Sequence, residues 1–371
     1  MLPLKVLQFI CPAGMYGAEM WILALAKSLD PAKVDCRLAV TRESESQNLE
    51  VFHRYRALGL RAYRAPMRGR FDPSAVYGLY RLLKREGIDI VHSHGYKSDL
   101  LGLAAARMAG VKALATPHGF ENVKDLKLQW FIRMGCAALK HFDAVAPLSE
   151  ELSRDMAKLG VPPGRVRLVR NGVDVEEIDG ERLPMGRGTV EDGPRKIGYI
   201  GQMAFRKNVG DLLAAFDRFY EAHDNCRLVL VGDGPMRQDL QEKASGLPSA
   251  SAIRFLGYRR DRLKLLREMS LFSMTSSLEG IPRCMMEAMA MGVPVAAYDI
   301  PGVDKLVLHE ETGLLAPFGD VESLKACWER LLFDEELASR LARNARSRIL
   351  EHFSAARMAQ EYTELYEKML I

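Results

Sequence analysis

Short apolar runs of strand type alternate with longer runs of helical period along nearly the whole chain, and the alternation stops only once before the C-terminal end. The strand-type runs are Met1–Ile10, Val34–Val40, Ile88–His92, Val111–Thr116, Asp143–Ala146 and Val166–Val169. A second series follows: Ile197–Ile200, Arg227–Val231, Ile253–Leu256, Leu271–Met274 and Val293–Ala297. Several are almost unbroken apolar stretches, the pattern of parallel strands covered on both faces. Between them, segments such as Asp211–Ala222 and Pro235–Ala244 carry a helical period. Strand–helix alternation of this kind predicts doubly wound parallel α/β sheets.

The interruption spans residues 176–195, rich in Gly, Pro and charge and without apolar periodicity, and reads as a linker. It separates two similar α/β halves, 1–175 and 196–353. A chain of 371 residues has the length for two cores at about 150 residues per domain. After Asp320 the strands stop and helices follow, the last over Ser354–Met369. Open parallel sheets bind ligands beyond the carboxyl ends of their strands, so the informative residues are those that follow each strand.

The most specific stretch is Ser276-Ser277-Leu278-Glu279-Gly280-Ile281-Pro282-Arg283-Cys284-Met285-Met286-Glu287-Ala288-Met289-Ala290-Met291-Gly292-Val293-Pro294-Val295. Leu271–Met274 reads as a buried strand and Leu278–Ile281 as the loop at its carboxyl end. Pro282 suits the first helical position, where a missing N–H costs nothing. The helix runs to Met291 and stops at Gly292. Its N-terminus, with free N–H groups and the positive end of the dipole, suits a phosphate. Glu279 sits beside that point and Glu287 more than a turn further on. Ionised carboxylates accept hydrogen bonds and match the hydroxyls of a sugar or ribose.

This string resembles the E-x7-E signature of the family 4 retaining glycosyltransferases, and the resemblance continues through Asp299-Ile300-Pro301-Gly302-Val303 and Thr312-Gly313-Leu314-Leu315. The resemblance implies the GT-B fold, two Rossmann-like domains facing across a cleft. The N-terminal one would bind the acceptor and the C-terminal one a nucleotide-sugar donor. It also implies that the final helix, 354–371, packs back on the N-terminal domain. By the same resemblance Glu279 would bind donor-sugar hydroxyls and Glu287 the ribose, with the backbone around Gly280, Ile281, Pro282, Arg283 and Cys284 offering its N–H groups (Pro282 has none) to sugar and phosphates. Lys305 stands where the family often has Glu.

Other strand ends carry supporting residues. Gly201-Gln202-Met203-Ala204-Phe205-Arg206-Lys207-Asn208 places adjacent Arg206 and Lys207 between strand and helix, where they suit a pyrophosphate. The family has a basic residue soon after the glycine. Here Gln202 holds that place, and Arg206 is the candidate replacement. Asp233-Gly234-Pro235 looks like the family's G-x-G-P turn, and a plain strand-to-helix turn is the preferred reading of it. Gly257-Tyr258 stands where similar enzymes hold the base. In the first half, Pro12-Ala13-Gly14-Met15-Tyr16-Gly17-Ala18-Glu19 lacks the G-x-G-x-x-G pattern of dinucleotide sites. It resembles the family's glycine loop at the donor phosphates, with Gly17 the candidate contact. His118, in Thr116-Pro117-His118-Gly119, matches the histidine that similar enzymes direct at the donor sugar. Val91-His92-Ser93-His94 puts two imidazoles on one strand face without a third ligand nearby in sequence, which suits a structural or acceptor-side role better than a metal. Asn171-Gly172-Val173-Asp174 resembles a turn that closes the first domain.

The reaction implied is transfer of a sugar from a nucleoside diphosphate, UDP preferred over GDP, to a glycan or lipid-linked acceptor. The nucleotide sugar is a substrate and no cofactor is expected. No Asp-x-Asp occurs, which suits a metal-independent enzyme. The rival readings are a GT-B-like epimerase or phosphorylase and a non-catalytic nucleotide-sugar binding protein.

Charge adds a partner. Residues 1–190 hold 28 Lys and Arg against 21 Asp and Glu, a balance of +7 within a chain of net charge +4. Arg54, Arg56, Arg61, Arg64, Arg68, Arg70, Arg81, Lys84 and Arg85 crowd one stretch opposed only by Asp72. Arg68-Gly69-Arg70-Phe71 is the candidate contact with anionic headgroups beside a lipid-linked acceptor; the plainer reading is a solvated arginine-rich surface. No recognised nucleic-acid module accompanies these arginines, so nucleic acid is not expected. The cysteines Cys11, Cys36, Cys136, Cys226, Cys284 and Cys327 are scattered, with no C-x-x-C, and suit a reducing cytosol. The first residues read as a strand rather than a leader, and no apolar run nears the ~18 residues of a span. The expected location is the cytoplasm, at the inner face of the membrane if the basic stretch binds lipid.

Overall fold

A computed structural model describes residues 2–12, 14–67, 69, 72, 74–119, 126–182 and 193–371, without the side chains of 126–128. The chain divides into two compact units, residues 1–172 with 355–371, and residues 173–354.

The first unit holds a six-stranded sheet of β1 (Leu4–Ile10), β2 (Val34–Arg42), β3 (Ala62–Pro66), β4 (Ile90–His94), β5 (Lys112–Ala115) and β6 (Ala144–Val145). Their order is β3-β2-β1-β4-β5-β6, every pairing parallel. Val6 pairs with Cys36 on one side and Ile90 on the other, so the strand order reverses at β1, and the crevice there is a ligand site by topology. Alternate residues of β1 feed opposite faces: Val6 and Ile10 join one apolar cluster, Leu7 and Phe9 the other. The final helix, Ala355–Leu370, covers the first of these through Met358, Ala359, Tyr362, Leu365 and Tyr366.

The second unit repeats the plan with β7 (Arg195–Ile200), β8 (Cys226–Val231), β9 (Ile253–Gly257), β10 (Leu271–Met274), β11 (Val295–Asp299) and β12 (Leu314–Pro317), ordered β12-β11-β10-β7-β8-β9. All five pairings are parallel. The order reverses at β7, so the loops after β7 and β10 border the crevice of this sheet.

Three local readings change. The 176–195 segment begins with a helix, Val175–Glu181: Asp174 Oδ1 accepts the Glu177 N–H at 3.0 Å, and Ile178 is buried. Val166–Val169 forms no strand of its own, only a bridge from Val166 to Val145. β3 and β12 escaped the pattern. β3 is an edge strand with one buried residue, Ala65, and ends in Pro66, as edges tolerate.

Candidate functional site

In the second unit, the loops after β7 and β10 are stitched by backbone. Ser277 N–H donates to Arg206 O at 2.8 Å, and Thr275 Oγ1 donates to Asn208 O at 2.9 Å. Phe205–Lys207 forms a single 3-10 turn, closed by Asn208 at φ 47° before the helix Val209–Tyr220. This backbone lays Lys207 Nζ against Glu279 Oε1, both side chains nearly buried, and brings Arg206 Nη1 to 3.6 Å from Glu279 Oε2. Lys207 is a fixed point charge, while Arg206 is 51% exposed.

The Glu279 loop is clamped from below by Gly302, at φ 90°. A β-carbon there would lie 1.8 Å from Gly280 O and 2.5 Å from Glu279 O, so only glycine allows this approach. Ile281 is buried, and Pro282 is the N-cap of the helix Arg283–Met291 rather than its first residue, with ψ at 116°. The missing N–H is thus spent one position earlier than expected, and the N–H groups of Arg283, Cys284 and Met285 lead the helix. Gly292, at φ 84°, ends the helix as expected.

Glu287 faces inward on that helix at 2% exposure. Arg262 Nη2 donates to its Oε1 at 2.9 Å and Nε to its Oε2 at 3.1 Å, and Arg283 Nε donates to Oε1 at 2.9 Å. Burial alone would raise this carboxyl's pKa; the charges and hydrogen bonds of Arg262 and Arg283 outweigh it and hold the group below the usual value. Cys284 lies within electrostatic reach of Lys207, Glu279 and Glu287, and burial pushes its thiol up to about 12, so it stays protonated. Gly257, at φ 66°, and the exposed Tyr258 lead into the helix Arg262–Arg267, and Tyr258 acts electrostatically on Arg262. Gly201 follows β7, with Tyr199 OH donating to Gln202 O at 2.9 Å.

Arg206, Lys207, Glu279, Arg262, Arg283, Cys284 and Glu287 therefore form one cluster of two carboxylates, each flanked by two cations, beside a helix N-terminus. Arg262 was missed. Its one sequence signal is that it is the third cation in Arg259-Arg260-Asp261-Arg262, just after the Gly257-Tyr258 turn.

Gly17 and His118 belong to the first unit. Gly17 opens the helix Gly17–Ser28, where Tyr16 N–H donates to Glu19 Oε2 at 3.0 Å. His118 follows β5. The histidine pair does have a third imidazole nearby: His94 Nδ1 and His118 Nε2 stand 3.1 Å apart. His92 is satisfied by Tyr366 OH and Thr116 Oγ1, each at 2.8 Å, a structural role. Burial lowers the pKa of all three, that of His118 to about 3. Arg68, Arg70 and Phe71 lie outside the described residues. Nearby, Arg64 stacks on Phe52 at 4.5 Å and Arg85 pairs with Glu86 at 2.9 Å. Among the described residues, no helix is long and apolar enough to cross a membrane.

Two family profiles match the chain: "Glycosyltransferase Family 4" over residues 15–177 and "Glycosyl transferases group 1" over residues 186–348. The chain is 27% identical over 315 residues to an Escherichia coli UDP-Gal:alpha-D-GlcNAc-diphosphoundecaprenol alpha-1,3-galactosyltransferase, covering 81% of this chain and 80% of that one. It is 26% identical over 309 residues to N-acetyl-alpha-D-glucosaminyl L-malate synthase of Bacillus anthracis, with coverage of 81% and 80%. Among solved structures, Anabaena Alr3699/HepE in complex with UDP superposes with a TM-score of 0.83 at 18% identity, over 98% of this chain and 100% of that one. The same protein with UDP-glucose gives 0.81 at 17% identity, over 98% and 99%. These likenesses establish the GT-B fold for the two sheets.

Proposed function

This chain belongs to the family 4 glycosyltransferases, and we propose that it moves a sugar, with retention and without a metal, from a UDP-linked donor to a glycan or lipid-linked acceptor. The observation that carries this reading is the pairing of Lys207 and Arg206 with Glu279 beside the N-terminus of the helix Arg283–Met291. UDP is favoured over GDP because the Escherichia coli relative uses UDP-Gal and Alr3699/HepE binds UDP. That relative's lipid-diphosphate acceptor and the basic stretch at 54–85 support a lipid-linked acceptor, met by the first unit at the cytoplasmic face of a membrane.

In this reading Lys207, Arg206 and the helix N–H groups receive the diphosphate. As the bond to the anomeric carbon breaks, negative charge grows on the leaving diphosphate and positive charge on the sugar ring. Cations already held by Glu279 need little reorganisation, so they stabilise that charge more than the ground state. Glu279 receives sugar hydroxyls and Glu287 the ribose. Retention needs attack on the face the diphosphate leaves, with the leaving phosphate as base.

Thermal unfolding with UDP, GDP, ADP and NAD, on the native chain and on Lys207→Ala, tests the donor. A nucleotide at ~100 times its Kd adds roughly 2.7 kcal/mol. A shift with UDP that Lys207→Ala loses is the expected result, and a shift with NAD alone would overturn the reading. Product anomer analysis after transfer, with and without chelator, tests retention and metal independence.

A further inference from the structure

We propose that Gln8, acting through His94, fixes the proton of His118 on Nε2 and leaves Nδ1 bare, so that His118 accepts a hydrogen bond from a substrate hydroxyl and does not donate to a phosphate. The hydroxyl contact rests on the glycosyltransferase reading above; the proton relay does not.

The relay is read from one end. Gln8 is fully buried on β1, with its amide nitrogen toward Tyr366 OH at 3.2 Å and Cys36 Sγ at 3.7 Å. Its Oε1 faces His94 Nε2, at 2.7 Å. A carbonyl oxygen has no proton to give, so His94 Nε2–H is the donor. Burial holds His94 neutral, and a neutral imidazole has only one N–H. His94 Nδ1 is then a lone pair, and His118 Nε2, 3.1 Å away, must be the donor to it. Burial also holds His118 neutral, which leaves its Nδ1 without a proton. Among the described residues Nδ1 has no hydrogen-bond partner.

The surrounding bonds agree with this polarity. Tyr366 OH accepts from Gln8 and donates to His92 Nδ1; His92 Nε2–H then donates to Thr116 Oγ1, which shares a further hydrogen bond with Tyr362 OH at 2.8 Å. Turning the Gln8 amide over reverses the chain and puts the proton of His118 on Nδ1, so one buried amide selects between two opposite chemistries at a residue 110 positions away.

Nitrogen NMR of the full chain with 15N-labelled histidine rings reads the proton directly, with the His118 signals identified as those lost in His118→Gln. The expected spectrum has His118 Nε2 pyrrole-type and Nδ1 pyridine-type, and in Gln8→Leu a mixture of the two tautomers. A pyrrole-type Nδ1 in the native chain overturns the relay, as does an unchanged His118 spectrum in Gln8→Leu. If Gln8→Leu does not fold, the native spectrum still decides. Transfer assays read the other half: His118→Gln is expected to lose at least tenfold in turnover, and native rates would overturn the hydroxyl contact while the relay stands on its spectrum.

Discussion

Arg262 grips Glu287 with two parallel hydrogen bonds, at 2.9 and 3.1 Å, in a site where the carboxylate is 2% exposed. A buried ion pair contributes little net stability, but removing one partner leaves an uncompensated charge at a cost of about 3–5 kcal/mol. Arg283 remains here to offset part of it. Arg262→Met is therefore expected to lower the melting temperature by several degrees, and adding Glu287→Gln to recover most of the loss. Calorimetry on the native chain and these two variants checks this, and a single mutant that melts like the native chain would show that the pair is not structural.

The cations and carboxylates of the second unit are expected to act on turnover as well. Lys207→Ala and Glu287→Ala should each slow transfer at least tenfold, roughly 1.4 kcal/mol in the barrier. Steady-state rates with the donor identified by thermal shift are the measurement. Near-native rates in both variants would remove the donor site from this cluster.

Gly302 gives a steric prediction. Gly302→Ala places a methyl 1.8 Å from Gly280 O at φ 90°, so the loop carrying Glu279 must move. Loss of the nucleotide-induced thermal shift is expected, with a lower melting temperature in the absence of ligand. Gly164→Ala, where nothing stands within 4 Å of the added carbon, is the control and should change neither.

Asp99 predicts a pH dependence in the first unit. The group is 3% exposed, and burial raises its pKa from 3.8 to about 7 despite the hydrogen bond from Ser93 Oγ at 2.6 Å. The folded state thus holds this proton more tightly than the unfolded chain. Its contribution is most favourable below pH ~4, declines as the pH rises toward 7, and is level above that. Melting curves of native chain and Asp99→Asn from pH 4 to pH 8 are expected to diverge in favour of the mutant as pH rises. A constant gap would contradict a carboxyl with a raised pKa.

Much of the architecture was legible because strands inside the sheets, such as Leu271–Met274 and Arg227–Val231 in the second unit, are short and almost wholly apolar. The helix ends at Met291 and Gly292 were readable for the same local reason: only glycine takes the left-handed conformation without strain. The edge strand Ala62–Pro66 was not, since a strand with one buried residue has no apolar period to detect. The helix Val175–Glu181 was hidden by its charge, because a single buried Ile178 and a capping Asp174 suffice to hold two turns.

At the site, spacing alone determined that Glu279 and Glu287 lie on either side of one helix N-terminus, and residue type determined that Arg206 and Lys207 follow a strand. Only the tertiary structure decided which charges meet. Lys207 and Glu279 are 72 positions apart, and Arg262 and Glu287 are 25 apart. Such pairs depend on the order of strands in the sheet, which no local pattern records. The same holds for Gln8, His94 and His118, on or just after three neighbouring strands: their residue types are in the sequence, but the direction of the proton between them is set by which atoms the fold places face to face.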